Sequence, residues 1–102
     1  HDNPTLRGWL KKMNRKDYRY FRRYMQVCGR GKRAVRRALA ACLGSVCRLA
    51  IIPLQDYLYL DDRARFNIPA TTGKNWVWRV RESVLTDKLA ARIREMTETY
   101  RR

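Results

Sequence analysis

Leu49-Ala50-Ile51-Ile52-Pro53-Leu54 is the stretch whose reading decides the fold. A short continuous apolar run of this kind is the pattern of a strand buried on both faces, as in a parallel sheet. Pro53 has no N–H to give to a ladder and marks the end of that strand. Just upstream, residues 32–46 read as an amphipathic helix. Val35, Ala38, Leu39, Cys42 and Val46 form its apolar stripe, with Lys32, Arg33, Arg36 and Arg37 largely off it. A helix followed by a buried strand is an αβ unit, so the expected fold class is α/β. Gln55 and Asp56 then fall just past the carboxyl end of the strand, where parallel sheets bind ligands.

Further upstream, Asn3 and Pro4 read as the N-cap and first position of a short helix over residues 5–12. Asn14 caps a second helix over residues 15–28. Tyr18, Phe21, Tyr24, Met25 and Cys28 make its apolar side, and Gly29 and Gly31 stop it. Downstream, residues 61–75 form a long loop, of a length that in compact domains is often functional. Residues 75–80 alternate, with Trp76 and Trp78 on one side, suited to stacking on a sugar or to packing on the last helix. That helix starts after Thr86 as N-cap, with Asp87 at its positive end. Leu85, Leu89, Ile93, Met96 and Tyr100 form its buried stripe.

The chain has 102 residues, one small domain's worth or part of a larger one. It opens on His1, which reads as a piece of a longer chain or a processed product. No apolar run approaches the roughly 20 residues of a membrane helix, so no membrane partner is expected. The first ten residues lack the pattern of a signal peptide. Cys28, Cys42 and Cys47 are odd in number and fit no zinc spacing, and no metal site is expected. Cys42 and Cys47 read as buried thiols, which suits a reducing compartment such as the cytoplasm.

Twenty-four Lys and Arg stand against nine Asp and Glu, a net charge of +15. Such an excess favours anionic partners, unless acids elsewhere in a longer protein balance it. A small basic helical module that binds nucleic acid is thus the rival reading. A groove for single strands needs aromatics interleaved with the cations. Tyr18, Phe21 and Tyr24 read as core residues, which speaks against it.

Three motifs in order carry a resemblance. His1-Asp2-Asn3, with Thr5 and Arg7-Gly8-Trp9, comes first. Ala50 through Asp56 follows. Ala64-Arg65-Phe66-Asn67-Ile68-Pro69, then Thr71, Asn75-Trp76 and Trp78-Arg79-Val80, complete it. Together they resemble the amylomaltase or disproportionating-enzyme family of 4-alpha-glucanotransferases over essentially the whole chain. The resemblance implies a (β/α)8 barrel with extra subdomains. Because a whole barrel takes about 250 residues, residues 1–102 would be its carboxyl-terminal part, from the end of strand seven through strand eight to the terminal helix, and mostly helical by itself.

The implied chemistry is retaining transfer of alpha-1,4-glucan segments between maltooligosaccharides, with no cofactor. A nucleophilic carboxylate and an acid/base carboxyl group stand roughly 5 Å apart in such enzymes. By resemblance both lie upstream of His1, so the chain alone would be inactive. Asp2 matches the third acid, which holds sugar hydroxyls and stabilises the distorted transition state. His1 matches a donor to the same sugar, and Asn67 a residue lining the glucan site. The partners implied are alpha-1,4-glucans and the rest of the barrel, with nucleic acid disfavoured. Ala70 stands where the family pattern has glycine. If that position needs positive φ, alanine strains the loop.

Overall fold

The computed structural model describes residues 1–102. Its elements are α1 (Leu6–Lys12), α2 (Arg15–Tyr24), α3 (Lys32–Leu43), the single turn α4 (Leu54–Tyr57) and α5 (Asp87–Thr99), with 3-10 turns at Asp62–Ala64 and Glu82–Val84. There is no β-strand. The expected α/β class, with a barrel strand at residues 49–54, is corrected to an all-helical chain. The physical reason is pairing. Alternate residues of this run do face opposite ways: Ala50 and Ile52 pack on the core, while Leu49 and Ile51 are 73% and 79% exposed. A strand, however, is defined by a ladder with a neighbour. Residues 46–52 make no backbone hydrogen bond to another segment.

The helix starts follow local chemistry. Thr5, not Asn3, caps α1, its Oγ1 accepting from Gly8 N at 3.1 Å. Asn14 caps α2, its Oδ1 accepting from Asp17 N at 2.9 Å. Thr86 caps α5 in the same way, through Leu89 N at 3.2 Å. Each cap satisfies one of the orphan amides of a helix start. Helix α2 stops at Tyr24, short of residue 28, and Gln26 takes a φ of 50° just beyond. Helix α3 ends at Leu43 with Gly44 as its C-cap, so Val46 lies outside it and is fully exposed. The end of α3 is held from the far terminus: Arg102 donates to Leu43 O at 2.9 Å and to Ser45 O at 2.6 Å.

One core joins the helices. Leu10 of α1, Tyr18 and Phe21 of α2, Ala34, Val35, Leu39 and Leu43 of α3, and Met96 of α5 form it. Helix α3 is central and packs against α4 and α5. Its buried side is rotated from the expected stripe, since Cys42 is exposed while Ala34 and Leu43 are buried. All three thiols are exposed, which removes the buried-thiol support for a cytoplasmic setting. Leu85 and Tyr24 are also outside the core, at 54% and 71% exposure.

The core is thin. Only 13 of 102 residues are buried, and the radius of gyration is 14.6 Å, against about 13 Å for a compact chain of this length. No helix is long and apolar enough to cross a membrane.

Candidate functional site

The loop after the first 3-10 turn folds back onto the chain start. Asn67 Nδ2 donates to Asp2 Oδ1 at 2.7 Å. Arg65 donates to the Asp2 carbonyl at 2.7 Å and to the Asn67 carbonyl at 3.2 Å. His1 Nε2 lies 3.1 Å from the same Asp2 Oδ1. The three site residues expected from the sequence, His1, Asp2 and Asn67, therefore meet in one cluster.

The cluster is open to a ligand. The side chains of His1 and Asp2 are 56% and 57% exposed. A carboxylate offers about four acceptor sites on its two oxygens. Here Oδ1 is held by two protein groups, and Oδ2 has no protein partner. The carboxylate is thus oriented on one side and presented on the other. His1 uses Nε2 on Asp2, which leaves Nδ1 to meet a hydroxyl.

Aromatic rings form the adjoining wall. The His1 and Trp76 rings sit 4.8 Å apart, tilted by 48°. Phe66 stacks near Trp76 at 6.4 Å and meets Trp78 edge-on at 5.6 Å. Trp76 thus takes ring partners in this loop and at the chain start, and Trp78 takes one in the loop. Arg65 and Phe66 belong to the arrangement, although sequence reasoning gave them no site role of their own; Trp76, read as suited to stacking on a sugar or to packing on the last helix, joins it. One signal pointed to Arg65 and Phe66: they immediately precede Asn67.

The loop's shape is fixed elsewhere in it. Asn75, not Asn67, makes the turn bonds: its Oδ1 accepts from Ile68 N at 3.0 Å and its Nδ2 donates to Thr71 O at 3.0 Å. Trp76 N donates to Phe66 O at 2.6 Å. Ala70 and Trp76 both adopt left-handed backbone, with φ of 59° and 64°. A side chain there costs on the order of 1–2 kcal/mol, so the strain expected for alanine at position 70 is present. Strained residues of this kind gather at ligand clamps and active sites.

Gln55 and Asp56 lie away from this cluster and have structural partners. Buried Gln55 donates to Ala64 O at 3.2 Å. Asp56 Oδ1 accepts from Leu6 N at 2.7 Å, at the start of α1. Burial pushes the Asp56 carboxyl above the ordinary carboxylate range, and the Leu6 amide opposes this only in part. A third acid, Asp62, takes Thr5 N and Thr5 Oγ1 on Oδ1 at 3.2 and 3.3 Å, and Lys12 Nζ on Oδ2 at 2.5 Å. These two aspartates clamp α1 to the segment that leads into the site loop. Arg7 adds a third tie: its guanidinium lies 4.5 Å over the Tyr59 ring and donates to Tyr59 O at 3.1 Å. No group of His, Cys, Asp and Glu could hold a metal ion.

Put together, the cluster sets a presented carboxylate beside imidazole, amide and indole. The family model described as 4-alpha-glucanotransferase matches residues 1–86. The chain is 36% identical over 105 residues to the potato (Solanum tuberosum) chloroplastic/amyloplastic 4-alpha-glucanotransferase, covering all of this chain and 18% of the relative. It is 38% identical over 103 residues to the Synechocystis 4-alpha-glucanotransferase, covering 100% of the chain and 20% of that protein. Among solved structures, the amylomaltase of Streptococcus agalactiae in complex with acarbose superposes with a TM-score of 0.91 at 30% identity, over all of this chain and 20% of that one. The chain belongs to the 4-alpha-glucanotransferase family. It spans about a fifth of the length of these relatives.

Proposed function

We propose that residues 1–102 are the carboxyl-terminal part, not a complete domain, of a 4-alpha-glucanotransferase that moves alpha-1,4-glucan segments between maltooligosaccharides. The observation that carries this reading is Asp2, pinned at Oδ1 by Asn67 and His1 with Oδ2 left unpartnered. The share of the relatives' length and the thin core support the status as a part.

In this scheme Asp2 is the transition-state carboxylate. Its Oδ2 accepts hydrogen bonds from sugar hydroxyls at the subsite of bond cleavage. Those bonds strengthen as the ring flattens toward an oxocarbenium ion, and only bonds that strengthen there accelerate the chemical step. His1 meets a hydroxyl of the same sugar through Nδ1, the ring nitrogen that Asp2 does not use. Asn67 acts through Asp2, holding its carboxylate in register, and the Trp76 ring offers an apolar face to the glucan. The nucleophile and the acid/base come from residues outside this chain, held roughly 5 Å apart for a retaining double displacement. A second sugar hydroxyl takes the place of water in the second step, so the product is a lengthened glucan. The scheme calls on no cofactor.

The test is maltotriose. The full-length protein containing this chain should convert it to glucose and longer maltooligosaccharides, and the purified 102-residue chain should produce neither. Glucose from the chain alone would place the nucleophile inside it and overturn the division of labour. Glucose without longer products from the full-length protein would make it a hydrolase.

A further inference from the structure

The outer face of α2 has no role in the site described above. Lys16, Arg19, Tyr20, Arg23 and Tyr24 are spaced at three and four residues, form one contiguous stripe, and are all exposed. The Tyr20 and Tyr24 rings stack on each other, with centroids 6.2 Å apart and planes 21° from parallel, yet remain 69% and 71% exposed. Beside them a groove of about 600 Å³ runs between α1 and α2, lined also by Trp9, Met13, Phe21 and Met25.

Within these 102 residues the cations on this face have no ion-pair partner. The molecule has three ion pairs, and none involves Lys16, Arg19 or Arg23. The one carboxylate on α2, Asp17, accepts from Asn14 at 2.7 Å and lines the same groove, a single negative charge against the three cations. The core burial that spoke against a stacking surface holds for Tyr18 and Phe21, and fails for Tyr24.

We propose that this face binds single-stranded nucleic acid, with the phosphates tracking Lys16, Arg19 and Arg23 and the bases stacking on Tyr20 and Tyr24. Charge complementarity and exposed rings together choose this occupant. A neutral glucan would use the rings and leave the cations idle. An acidic peptide or an anionic bilayer would use the cations without needing two stacked rings. A single strand uses both, because it carries a phosphate at every step and every base has a face to stack. The proposal stands apart from glucan transfer, since it shares no residue with the Asp2 cluster.

The test uses the full-length protein containing this chain and a fluorescein-labelled dT20 strand, followed by anisotropy between 50 and 200 mM KCl. Affinity should fall linearly on a log–log plot against salt. Arg19→Gln with Arg23→Gln should reduce the slope by about 1.4, at about 0.7 per phosphate contact on a single strand. Tyr20→Ala with Tyr24→Ala should weaken binding by about tenfold or more and leave the slope unchanged. Both pairs are exposed, and an unchanged circular dichroism spectrum would show that they fold. Lys88→Gln with Arg94→Gln, exposed on α5, should change little. Absence of binding at 50 mM KCl would overturn the proposal. So would tyrosine variants that bind like the parent, or an equal loss from the α5 pair. Binding to phosphatidylserine vesicles as tight as to dT20, and indifferent to the tyrosines, would assign the face to membranes and overturn it too.

Discussion

In an ordinary helix Gly→Ala is stabilising by up to about 1 kcal/mol, because alanine loses less backbone entropy. At Gly8 of α1 the sign should reverse. A Cβ built there falls on the carboxylate of Asp62. Asp62 would have to rotate away, since its carboxylate is the movable partner. Its Oδ1 would then leave Thr5 N and Thr5 Oγ1, which it now meets at 3.2 and 3.3 Å. Thr5 is only 6% exposed, so its amide would lose its partner where water does not reach easily. That costs about 1–3 kcal/mol. The Lys12–Asp62 pair adds at most about 1 kcal/mol, because Lys12 is 70% exposed. Against the helix gain, Gly8→Ala should cost about 1–2 kcal/mol net. Urea unfolding of the 102-residue chain, followed by far-UV circular dichroism, measures it. Asp62→Ala supplies the other half of a double-mutant cycle. In that background the same Gly8→Ala change should be neutral or stabilising. A stabilising Gly8→Ala in the parent would refute the clamp between α1 and Asp62.

Other outcomes are as specific. Ala70→Gly should stabilise the chain by up to about 1 kcal/mol, since glycine takes the φ of 59° without a Cβ penalty; a destabilised variant would mean that the left-handed backbone is not adopted. Asp56 is more readily protonated in the folded chain than in the unfolded one. The folded state therefore binds the extra proton, and stability falls as pH rises from the ordinary carboxylate value through the raised one. Asp56→Asn keeps an acceptor for Leu6 N and removes that dependence, so urea midpoints should move in the variant's favour between pH 3 and pH 7; the opposite trend would show that the Leu6 bond outweighs burial. A thiol-specific reagent should modify Cys28, Cys42 and Cys47 in the native chain without denaturant, as their exposure requires.

The helices were legible where capping and periodicity act locally. Asn14 and Thr86 start their helices as their side chains dictate, and Leu89 and Met96 face the core at helical spacing. The strand expected at residues 49–54 is absent, because an apolar run favours burial and says nothing about a hydrogen-bonding neighbour. Residues 46–52 find none within the chain. Val46 falls beyond α3, which ends at Leu43, while Cys42 and Tyr24 lie within their helices on the exposed side, because the buried face follows the neighbours each helix packs on. At the site, the resemblance named His1, Asp2 and Asn67, and these do come together. Arg65 was missed because its role depends on loop closure across more than sixty residues of sequence, visible in the Arg65–Asp2 bond. Such closure leaves no local pattern.

The most direct test of the proposed role of Asp2 is Asp2→Asn in the full-length protein, with transfer on maltotriose and maltooligosaccharide binding measured side by side. Asparagine keeps an acceptor for Asn67 and His1 and removes the negative charge that faces the sugar. Loss of one preorganised electrostatic contact to a transition state typically lowers kcat by about a hundredfold to a thousandfold. A fall of that order, with ground-state binding changed far less, is the expected result. A variant that transfers at the parent rate would contradict the assignment of Asp2 as the transition-state carboxylate.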